Sequence, residues 1–380
     1  YFRENKIKEN DIIAIESNKN FFAFCIIIAC LKGGIGYSFI ELFTARSRVD
    51  EIISQLKPKK IISFSKKYNS KLNLFFSNKI KKKINLMSQS HKKIKNKSFL
   101  AYIMFTSGST GIPKGVKISH ENLIYLIKWI KKYFEIKKND VFSNLNPLHF
   151  DNSVFDIYGS IFNGLPIVPI NKHEFFDGKN LINKFKYFRC TTWFSVPSFL
   201  DLLLKTNSSK IFQKHHFKRF IFGGERFPIK SVKKLIKFAN KSKIYNVSGP
   251  TECTCICSAH RVISKDLNSK EESIFVGKIN NYFKYKIKYT SNNFKKGELY
   301  LEGPSISRGY INNSAATKKS FYNIGKFKGY KTGDLVSINK EGNLKILGRV
   351  DNQIKFQGHR IELEEIENKI ISKFKINNCI

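Results

Sequence analysis

The chain has 380 residues, enough for two or three domains, and its hydrophobic fraction of 42% is ordinary for a soluble globular protein. Its formal net charge of +39 would suit a nucleic-acid-binding protein. Lys, Asn, Ile and Phe are enriched together, however, and all four have codons made of A and T alone, so an AT-rich genome explains the whole set while nucleic-acid binding explains only the lysines.

The N-terminal segment predicts a strand followed by a buried helix. Residues 12–15 form a short apolar run typical of a strand, and residues 21–31 form an apolar run that ends at Lys32-Gly33-Gly34. The second run is too short to cross a bilayer, which takes about 20 residues. We therefore expect a helix inside the protein and no membrane partner.

A second predicted strand, residues 61–65, leads into a lysine-rich stretch at 66–97. This stretch is polar and has little periodicity, so we interpret it as a solvated, variable segment rather than a nucleic-acid-binding arm. The other lysines are scattered along the chain. We expect no nucleic-acid partner, although so positive a field favours anionic ligands such as ATP and acidic partner proteins.

Residues 102–116 are the most informative part of the sequence, a loop between predicted strands at 99–105 and 116–118. Gly108 and Gly111 allow backbone N–H groups to approach an anion closely, and Lys114 adds a point charge. The side chains that offer hydroxyl donors are those of Thr106, Ser107, Ser109 and Thr110. The loop is therefore predicted to wrap a polyphosphate.

The order of elements around this loop differs from that of a P-loop NTPase. In those proteins the Gly-Lys-Ser/Thr sequence opens directly into a helix. Here Gly115 follows Lys114 and the next helix begins only at about Ser119, so a P-loop NTPase is disfavoured. A plain Ser/Thr/Gly linker would explain the composition of the loop but not its Pro113-Lys114-Gly115 ending.

The middle of the chain alternates predicted strands and helices. Ser119 is placed to cap a helix whose apolar stripe is Leu123, Ile124, Ile127 and Ile130. Short apolar runs, each predicted to be a strand, lie at 101–105, 141–144, 192–196, 219–222 and 243–247. Strand–helix alternation of this kind predicts a layered α/β fold.

Asp151 lies within residues 150–156, an apolar-flanked segment. An unpaired carboxylate in such surroundings is costly, so this one requires a cation or a hydrogen-bond donor. A helix-capping or surface aspartate is the alternative interpretation.

Residues 246–252 follow a predicted strand and end in Gly249-Pro250-Thr251-Glu252. A tight turn at Gly249 and Pro250 would hold Thr251 and Glu252 at the carboxyl end of the strand, where α/β folds bind ligands. A carboxylate there can hold a Mg²⁺ ion that bridges phosphate oxygens. Taken alone, the same residues could form any turn.

The cysteines are unevenly spaced: Cys25, Cys30, Cys190, Cys253, Cys255, Cys257 and Cys379. An odd set without a signal segment predicts a reduced, cytoplasmic chain. The spacers within 253–257 are one residue long, whereas structural zinc sites prefer two, so we expect these cysteines to be structural.

Beyond about Asn268 the predicted strands become shorter and are separated by glycine turns. They lie at 275–278, 285–289, 297–302, 335–338 and 344–347. This pattern of short strands and glycine turns predicts an appended β subdomain over about 268–350. The chain begins at Tyr1 and stops at Ile380 inside a continuing element, so we expect it to be incomplete at both ends.

Four motifs resemble, in order, those of the adenylate-forming enzymes, the superfamily of acyl-CoA synthetases, luciferases and peptide-synthetase adenylation domains. They are the segments 102–116, 246–252, 330–335 and 348–367, and segments 297–304 and 307–310 complete the pattern. Surface solvation usually explains a lone Asp or Lys, but it does not explain four motifs in the family's order. The resemblance covers Asp11 to the C-terminus.

The resemblance implies a site for ATP and Mg²⁺. Thr106, Lys114, Glu252 and Lys355 would be catalytic, with Glu252 as the magnesium ligand. The implied ATP-binding set is Thr106, Ser107, Gly108, Ser109, Thr110, Gly111, Lys114, Asn246, Ser248, Gly249, Pro250, Thr251, Asp334, Arg349 and Lys355. Most relatives stack an aromatic ring on adenine where this chain has Ser248, so some nucleotide affinity would be lost.

The resemblance also implies a substrate pocket. In amino-acid-activating members the residue that matches Asp151 pairs with the α-ammonium group, and fatty- and aryl-acid activators generally lack it. The other implied substrate-binding residues are Asn152, Phe155, Ser198, Ile221, Gly223, Val247 and Cys255. The D-alanine-activating branch carries a bulkier side chain at the position of Gly223, which suggests a somewhat larger pocket here.

In domain terms, the resemblance implies that residues 1–350 are the large N-terminal α/β core domain of such an enzyme. Residues 351–380 would be the hinge, at Asp351, and the beginning of the small C-terminal domain. The family's catalytic lysine lies later in that domain. The chain as given is therefore expected to bind ATP and an amino acid but to adenylate poorly.

The implied function is ATP-dependent activation of an amino acid, as in peptide-synthetase adenylation domains and D-alanyl carrier protein ligases. The product, an aminoacyl-AMP, would then be passed to the phosphopantetheine thiol of a carrier protein. Three alternatives stay open: an acyl- or aryl-CoA ligase, a degenerate nucleotide-binding module and a nucleic-acid-binding protein. Asp151 argues against the first, and the retained Lys114, Glu252, Asp334 and Arg349 argue against the second.

Overall fold

The structure is a computed structural model that describes residues 1–65, 68–75, 99–108, 112–205, 215, 217–290, 293–356 and 359–374. Within these residues, three sheets and a separate two-stranded hairpin follow one another along the chain. The first two sheets are largely parallel and alternate with helices, and the third is antiparallel. The predicted α/β fold with an appended antiparallel sheet is confirmed.

The first sheet has six strands in the order β4-β3-β1-β2-β5-β6. They are β1 (Ile12–Glu16), β2 (Gly36–Ile40), β3 (Lys60–Ser63), β4 (Asn73–Phe75), β5 (Leu100–Thr106) and β6 (Lys114–Ser119). All pairs are parallel except β5 with β6. That antiparallel pair places Thr106 opposite Lys114, so the two ends of the predicted phosphate loop are held together.

In the described part of this region, two helices accompany the sheet, α1 (Phe21–Gly33) and α2 (Arg46–Leu56). Helix α1 ends at the predicted glycines, because Gly34 adopts a left-handed φ of 65° that stops the helix. Of the helices that the structure describes, none combines the length and the apolar character needed to span a bilayer.

The second sheet has seven strands in the order β13-β12-β11-β10-β9-β7-β8. They are β7 (Phe142–Asn144), β8 (Ile167–Pro169), β9 (Thr192–Ser195), β10 (Arg219–Gly223), β11 (Lys243–Ser248), β12 (Ser258–Arg261) and β13 (Lys278–Ile279). Strands β7 to β11 pair in parallel, so their carboxyl ends share one edge of the sheet.

Among the described residues, six α-helices accompany the second sheet. They are α3 (His120–Tyr133), α4 (Asn152–Ser160), α5 (Gly178–Tyr187), α6 (Pro197–Lys205), α7 (Ile229–Ile236) and α8 (Ser264–Leu267). Helix α3 begins where predicted, since Ser119 and Asn122 cap it reciprocally. Its buried apolar face is Leu123, Leu126, Trp129 and Ile130, with the predicted Ile124 and Ile127 half-buried beside it.

The third sheet has five antiparallel strands, and a two-stranded hairpin follows it. The strands of the sheet are β14 (Lys284–Thr290), β15 (Asn293–Gly303), β16 (Phe321–Ile324), β17 (Phe327–Ile338) and β18 (Leu344–Arg349). Helix α9 (Ser314–Ser320) precedes β16. The hairpin consists of β19 (Gln353–Phe356) and β20 (His359–Glu362), and helix α10 (Leu363–Phe374) comes after it.

One predicted strand, residues 275–278, is wrong. Only Lys278 belongs to an observed strand, while the other predicted strands overlap observed ones. The side chain of Asn246 explains the difference, because its Nδ2 donates to the carbonyl oxygens of Ile274 at 3.0 Å and Phe275 at 2.9 Å. A buried amide thus satisfies backbone acceptors that a neighbouring strand would otherwise have to pair.

Lys19 ties the first sheet to the second. It lies between β1 and α1, and its Nζ donates to the carbonyl oxygens of Asn144 at 2.8 Å, Leu145 at 2.9 Å and Ile170 at 2.6 Å. These acceptors match the three N–H groups of a protonated ammonium. Because the carbonyls follow β7 and β8, the cross-link sits at the carboxyl edge of the second sheet.

We expect Lys19→Met to lower the free energy of unfolding by about 3 kcal/mol. The carbonyl of Asn144 keeps the bond from the backbone N–H of Ile170, but those of Leu145 and Ile170 lose the Lys19 donor, and each unpaired buried group costs about 1–3 kcal/mol. Urea denaturation followed by tryptophan fluorescence would measure the loss. Lys128→Met, at an exposed position of α3, is the control and should change stability by no more than about 0.5 kcal/mol. Equal stability of the two variants would contradict a cross-linking role for Lys19.

Candidate active site

A cavity of about 320 Å³ lies where the carboxyl edges of the first two sheets meet the β19–β20 hairpin. The predicted site residues in its lining are Thr106, Ser107, Asp151, Asn152, Gly249, Pro250, Thr251, Asp334, Arg349 and Lys355. They come from distant parts of the sequence and converge at the strand ends, as ligand-binding residues of α/β folds do.

The phosphate loop borders this cavity through Ser107. The Oγ atom of Ser107 donates to the carbonyl oxygen of Arg360 at 2.8 Å, so the loop touches the hairpin directly. Gly108 is required by close packing, since a Cβ atom there would lie 2.0 Å from the carbonyl oxygen of Ile112. The remaining loop residues assigned to ATP, namely Ser109, Thr110 and Gly111, lie outside the described residues.

Lys114 closes the loop and lies behind the cavity rather than in its lining. Thr106 Oγ1 donates to the carbonyl oxygen of Lys114 at 3.4 Å, and Lys114 Nζ lies 6.0 Å from the ring centroid of Tyr310. Burial lowers the pKa of Lys114, while the nearby carboxyl groups of Glu362 and Glu252 oppose that fall. The lysine therefore belongs to the same cluster of charges as Glu252.

Glu252 is fully buried and ion-paired. Its Oε1 accepts from the hydroxyl of Tyr310 at 2.8 Å, and Nη1 of Arg360 lies 3.2 Å from Oε1 and 3.0 Å from Oε2. Burial would raise the pKa of this carboxyl, but the charge of Arg360 and the bond from Tyr310 hold the pKa below its ordinary value. Glu252 is therefore an ionised carboxylate that already carries a cation.

The carboxylate of Glu252 suits Mg²⁺ better than it suits a metal ion that is coordinated entirely by protein side chains. A buried ionised carboxylate is the kind of hard oxygen ligand that Mg²⁺ prefers, and this ion usually adds only waters and substrate phosphates to one or two such ligands. Across the part of the chain that the structure describes, no group of three or more His, Cys, Asp or Glu side chains could hold a metal ion. The cysteines at 253–257 are free and buried.

Asp151 and Thr251 form a short hydrogen bond at the cavity. The hydroxyl of Thr251 donates to Oδ2 of Asp151 at 2.6 Å. Burial raises the pKa of Asp151, and the bond from Thr251 and the charge of Lys355 oppose the rise. The sequence predicted that Asp151 needs a cation or a hydrogen-bond donor. In the structure its direct partner is the neutral hydroxyl of Thr251, and cationic groups lie farther away.

A second ion-pair cluster joins β17 to the segment after β18. Arg349 Nη1 bonds Oδ1 of Asp334 at 2.7 Å, and its Nε and Nη2 bond the two oxygens of Asp351 at 2.6 and 2.8 Å. Gly333 makes room for this guanidinium, since its φ is +74° and a Cβ atom would lie 2.5 Å from Nη2. Arg349 thereby fixes both the predicted ribose-binding aspartate and the predicted hinge aspartate.

The other predicted substrate-binding residues lie outside the cavity lining: Phe155, Ser198, Ile221, Gly223, Val247 and Cys255. Asn246 and Ser248 are outside it too, with Asn246 committed to the backbone of 274–275. A Cβ atom at Gly223 would lie 2.7 Å from Cγ2 of Val247. A side chain at this position would therefore crowd Val247, and the somewhat larger pocket expected from Gly223 stays a prediction.

Comparison with known proteins decides the family. The sequence model of the family described as AMP-binding enzyme matches residues 1–311. The chain belongs to this family.

The relatives of this AMP-binding enzyme include the D-alanine--D-alanyl carrier protein ligase of Bacillus cytotoxicus, which is 33% identical over 90% of this chain and 69% of the relative. The ligase of the same name from Listeria innocua is 36% identical over 73% of this chain, and the match spans about half, 55%, of that relative's length. Among solved structures, the Vibrio cholerae adenylation domain AlmE in complex with glycyl-adenosine-5'-phosphate has a TM-score of 0.83 at 24% identity and covers 100% of this chain and 77% of that one. The last match supports the fold.

Some cavity residues of this AMP-binding enzyme were not predicted from the sequence: Phe39, Arg48, His149, Gln353 and Arg360. Arg360 lies within segment 348–367, one of the four motifs that resemble the adenylate-forming enzymes, so the sequence did indicate that its neighbourhood belongs to the site. Its partner Glu252, however, is 108 positions away. Arg48 likewise reaches Glu365 of α10 at 3.1 Å, a contact that no local pattern indicates.

Another buried carboxyl, Asp156, supports helix α4, which begins beside Asp151. Its Oδ2 accepts from Nδ2 of Asn144 at 3.0 Å and of Asn146 at 3.3 Å. Burial raises the pKa of Asp156 to about 8, against the opposing effect of both amides and of the Lys19 charge. The amides anchor α4 to the end of β7, close to the Lys19 cross-link.

We expect Asp156→Asn to become more stable relative to the unsubstituted protein as the pH rises from about 4 to about 8. Unfolded Asp titrates near 3.8 and the folded group near 8, so between these values the folded state binds more protons and its stability falls with rising pH. Asparagine does not titrate, and the stability difference should grow by at least about 1.4 kcal/mol, the equivalent of one pKa unit. Denaturation at pH 5 and pH 8 measures it, and a difference that stays constant would contradict the assignment.

Proposed function

We propose that this site activates an amino acid as aminoacyl-AMP, with release of pyrophosphate, and passes the aminoacyl group to the phosphopantetheine thiol of a carrier protein. The observation that carries the proposal is the half-buried carboxylate of Asp151, which faces the same cavity as the phosphate loop and Asp334. An α-ammonium group would supply the close cation that Asp151 has not acquired from Thr251. The names of the two ligase relatives support the same activity and the same kind of partner.

In the first step, an oxygen of the amino acid's carboxylate attacks the α-phosphorus of ATP. The bond from that phosphorus to the bridging oxygen breaks, and pyrophosphate leaves with the electron pair. Little covalent chemistry falls to the protein in such a phosphorus-centred displacement, so its contribution is positioning and charge stabilisation. The hydroxyls of Thr106 and Ser107 would donate to phosphate oxygens, and Lys114 would stabilise the charge that develops there.

The nucleotide would be oriented by the ion-pair cluster around Arg349. Asp334 would accept hydrogen bonds from the ribose hydroxyls, while Arg349 holds that carboxylate in place. Lys355, which lines the same cavity, would contact the nucleotide from the hairpin. Mg²⁺ bound by Glu252 would neutralise charge on the phosphate oxygens.

In the second step, the sulfur of the carrier's phosphopantetheine attacks the carbonyl carbon of the aminoacyl-AMP. The carbon–oxygen bond to AMP breaks, AMP leaves, and the thiol proton passes to solvent. The net charge of +39 favours an acidic carrier. The described cysteines are all free, which supports a reducing, cytoplasmic location.

Stimulation of ATP–pyrophosphate exchange by a panel of α-amino acids, including glycine and both enantiomers of alanine, tests the proposal. We expect at least one amino acid to stimulate exchange while its deaminated analogue does not. Exchange supported equally by carboxylic acids without an amino group would favour an acyl- or aryl-CoA ligase instead.

The variant Asp151→Asn should raise the KM for the amino acid by at least about tenfold and leave the KM for ATP unchanged, because one missing partner of a buried ion pair costs about 3–5 kcal/mol. Asparagine keeps the size of the side chain and can still accept the bond from Thr251. Asp201→Asn, on α6 and outside the cavity lining, is the matched control and should behave like the unsubstituted protein. An unchanged preference for the amino acid over its deaminated analogue in Asp151→Asn would sink the assignment.

A further inference from the structure

The loop between β7 and helix α4, residues 145–151, brings Asp151 into the cavity lining. This loop is closed at its base by the side chain of Asp156, which lies one and a half turns into α4. Its Oδ2 accepts from Nδ2 of Asn144 at 3.0 Å and from Nδ2 of Asn146 at 3.3 Å. The position of Asp151 therefore depends on the bonds that join α4 to the end of β7.

The bonds at the base of the loop leave two oxygen atoms without a donor. Nδ2 of Asn144 donates to Asp156 and also to the carbonyl oxygen of Asn146 at 3.4 Å, and these two acceptors fix the orientation of the amide. Oδ1 of Asn144 and Oδ1 of Asp156 are both buried, and neither has a hydrogen-bond partner among the described residues. Two such oxygens on groups that are already bonded to each other are costly unless a proton lies between them.

The direct partners of the Asp156 carboxyl are neutral amides, although a cation lies nearby. The charge of Lys19 acts on Asp156, but Nζ of Lys19 already donates to three backbone carbonyl oxygens. An ammonium group has three N–H groups, so none is left for the carboxyl. Burial raises the pKa of Asp156 to about 8, and the carboxyl is therefore mostly protonated at pH 7.

Other titratable groups face Asp156 from neighbouring elements. They are Lys19, between β1 and α1, and the thiol of Cys255, before β12, while Glu174 and Lys184 act on Lys19 in turn. Burial raises the pKa of the Cys255 thiol well above its ordinary value, so the thiol stays neutral. Burial also lowers the pKa of Lys19 to about 7, so Lys19 and Asp156 lose protons over neighbouring pH ranges. A comparison with a variant of Asp156 separates the two.

We propose that Asp156 is a positioning residue of the amino-acid site, a neutral carboxylic acid whose proton, carried on Oδ1, is shared with Oδ1 of Asn144. The inference rests on the proposed function, since it takes Asp151 as the partner of the α-ammonium group. Acid and amide are then joined in both directions, by N–H to oxygen and by O–H to oxygen, and the loop that presents Asp151 is locked. Loss of the proton would set two acceptor oxygens against each other and add a buried charge at the base of the loop.

Infrared difference spectroscopy of the full chain between pH 7 and pH 9 detects the proton itself. At pH 7 we expect the carbonyl stretch of a protonated carboxylic acid, which should disappear with an apparent pKa of about 8. The same band should be absent from Asp156→Asn, which has no carboxyl group at this position. A spectrum in which Asp156→Asn removes no such band would show that Asp156 is ionised and would overturn the inference.

ATP–pyrophosphate exchange with the amino acid that stimulates it most gives the functional readout. Asp156→Leu removes the donor and both acceptors, and should raise the KM for the amino acid at least about tenfold and the KM for ATP less than about twofold, because a displaced positioning group can cost about a hundredfold. Asp156→Asn offers an N–H in place of the O–H and should bring the amino-acid KM at pH 7 back to within about threefold of the original. Asp201→Leu, on α6 and outside the cavity lining, controls for the loss of a carboxyl.

The pH dependence of the amino-acid KM decides even if Asp156→Leu does not fold. Between pH 7 and pH 9 the KM of the unsubstituted protein should rise at least about threefold more than that of Asp156→Asn, which does not titrate; ionisation of the substrate affects both proteins equally. Equal changes in the two proteins would overturn the inference. That outcome would leave the proposed function standing, which instead depends on the effect of Asp151→Asn.

Discussion

Three carboxyl groups lie where the first two sheets meet, Asp156 and Glu252 fully buried and Asp151 half-buried, and the free-energy cost of removing a charge from water determines what surrounds each of them. Glu252 is paired with Arg360, Asp151 accepts from a threonine hydroxyl, and Asp156 accepts from two asparagine amides. A buried carboxylate must acquire a cation, acquire donors or take up a proton. Glu252 has acquired a cation, whereas Asp151 and Asp156 have acquired neutral donors, one hydroxyl and two amides respectively, and these differences give the groups different chemical capacities.

The three carboxyl groups differ because their hydrogen-bond and ion-pair partners lie on different structural elements. Asp156 accepts a hydrogen bond from Asn144 at the end of β7, and Lys19 donates to the carbonyl oxygen of the same residue. These bonds fix the position of α4. Asp151, at the start of α4, has only a neutral partner, which leaves it suited to a substrate cation. Glu252 is paired with Arg360, which lies on the hairpin and not on one of the three sheets.

Much of the local structure could be predicted because it depends on neighbours in the chain. The Ser119 cap, the glycine end of α1 and the β5–loop–β6 arrangement are set by residues a few positions apart. The strand at 275–278 was wrong because a distant side chain, Asn246, took up its carbonyl groups. The surroundings of Gly223 are likewise set by a neighbouring strand, since a Cβ atom there would lie 2.7 Å from Cγ2 of Val247.

By itself the sequence determined the AMP-binding family, the α/β layering and ten of the 24 residues that line the cavity, because ordered motifs and hydrophobic periodicity are properties of contiguous segments. Only the tertiary structure decided which partner each charged side chain has. The bonds from Arg360 to Glu252 and from Thr251 to Asp151 join residues about a hundred positions apart. Such partners are selected by strand order, by the place where the hairpin docks and by burial, because a charge must pair with whatever donor the fold brings within reach. The sequence shows which residues are charged, but not which residues lie beside them in the folded protein.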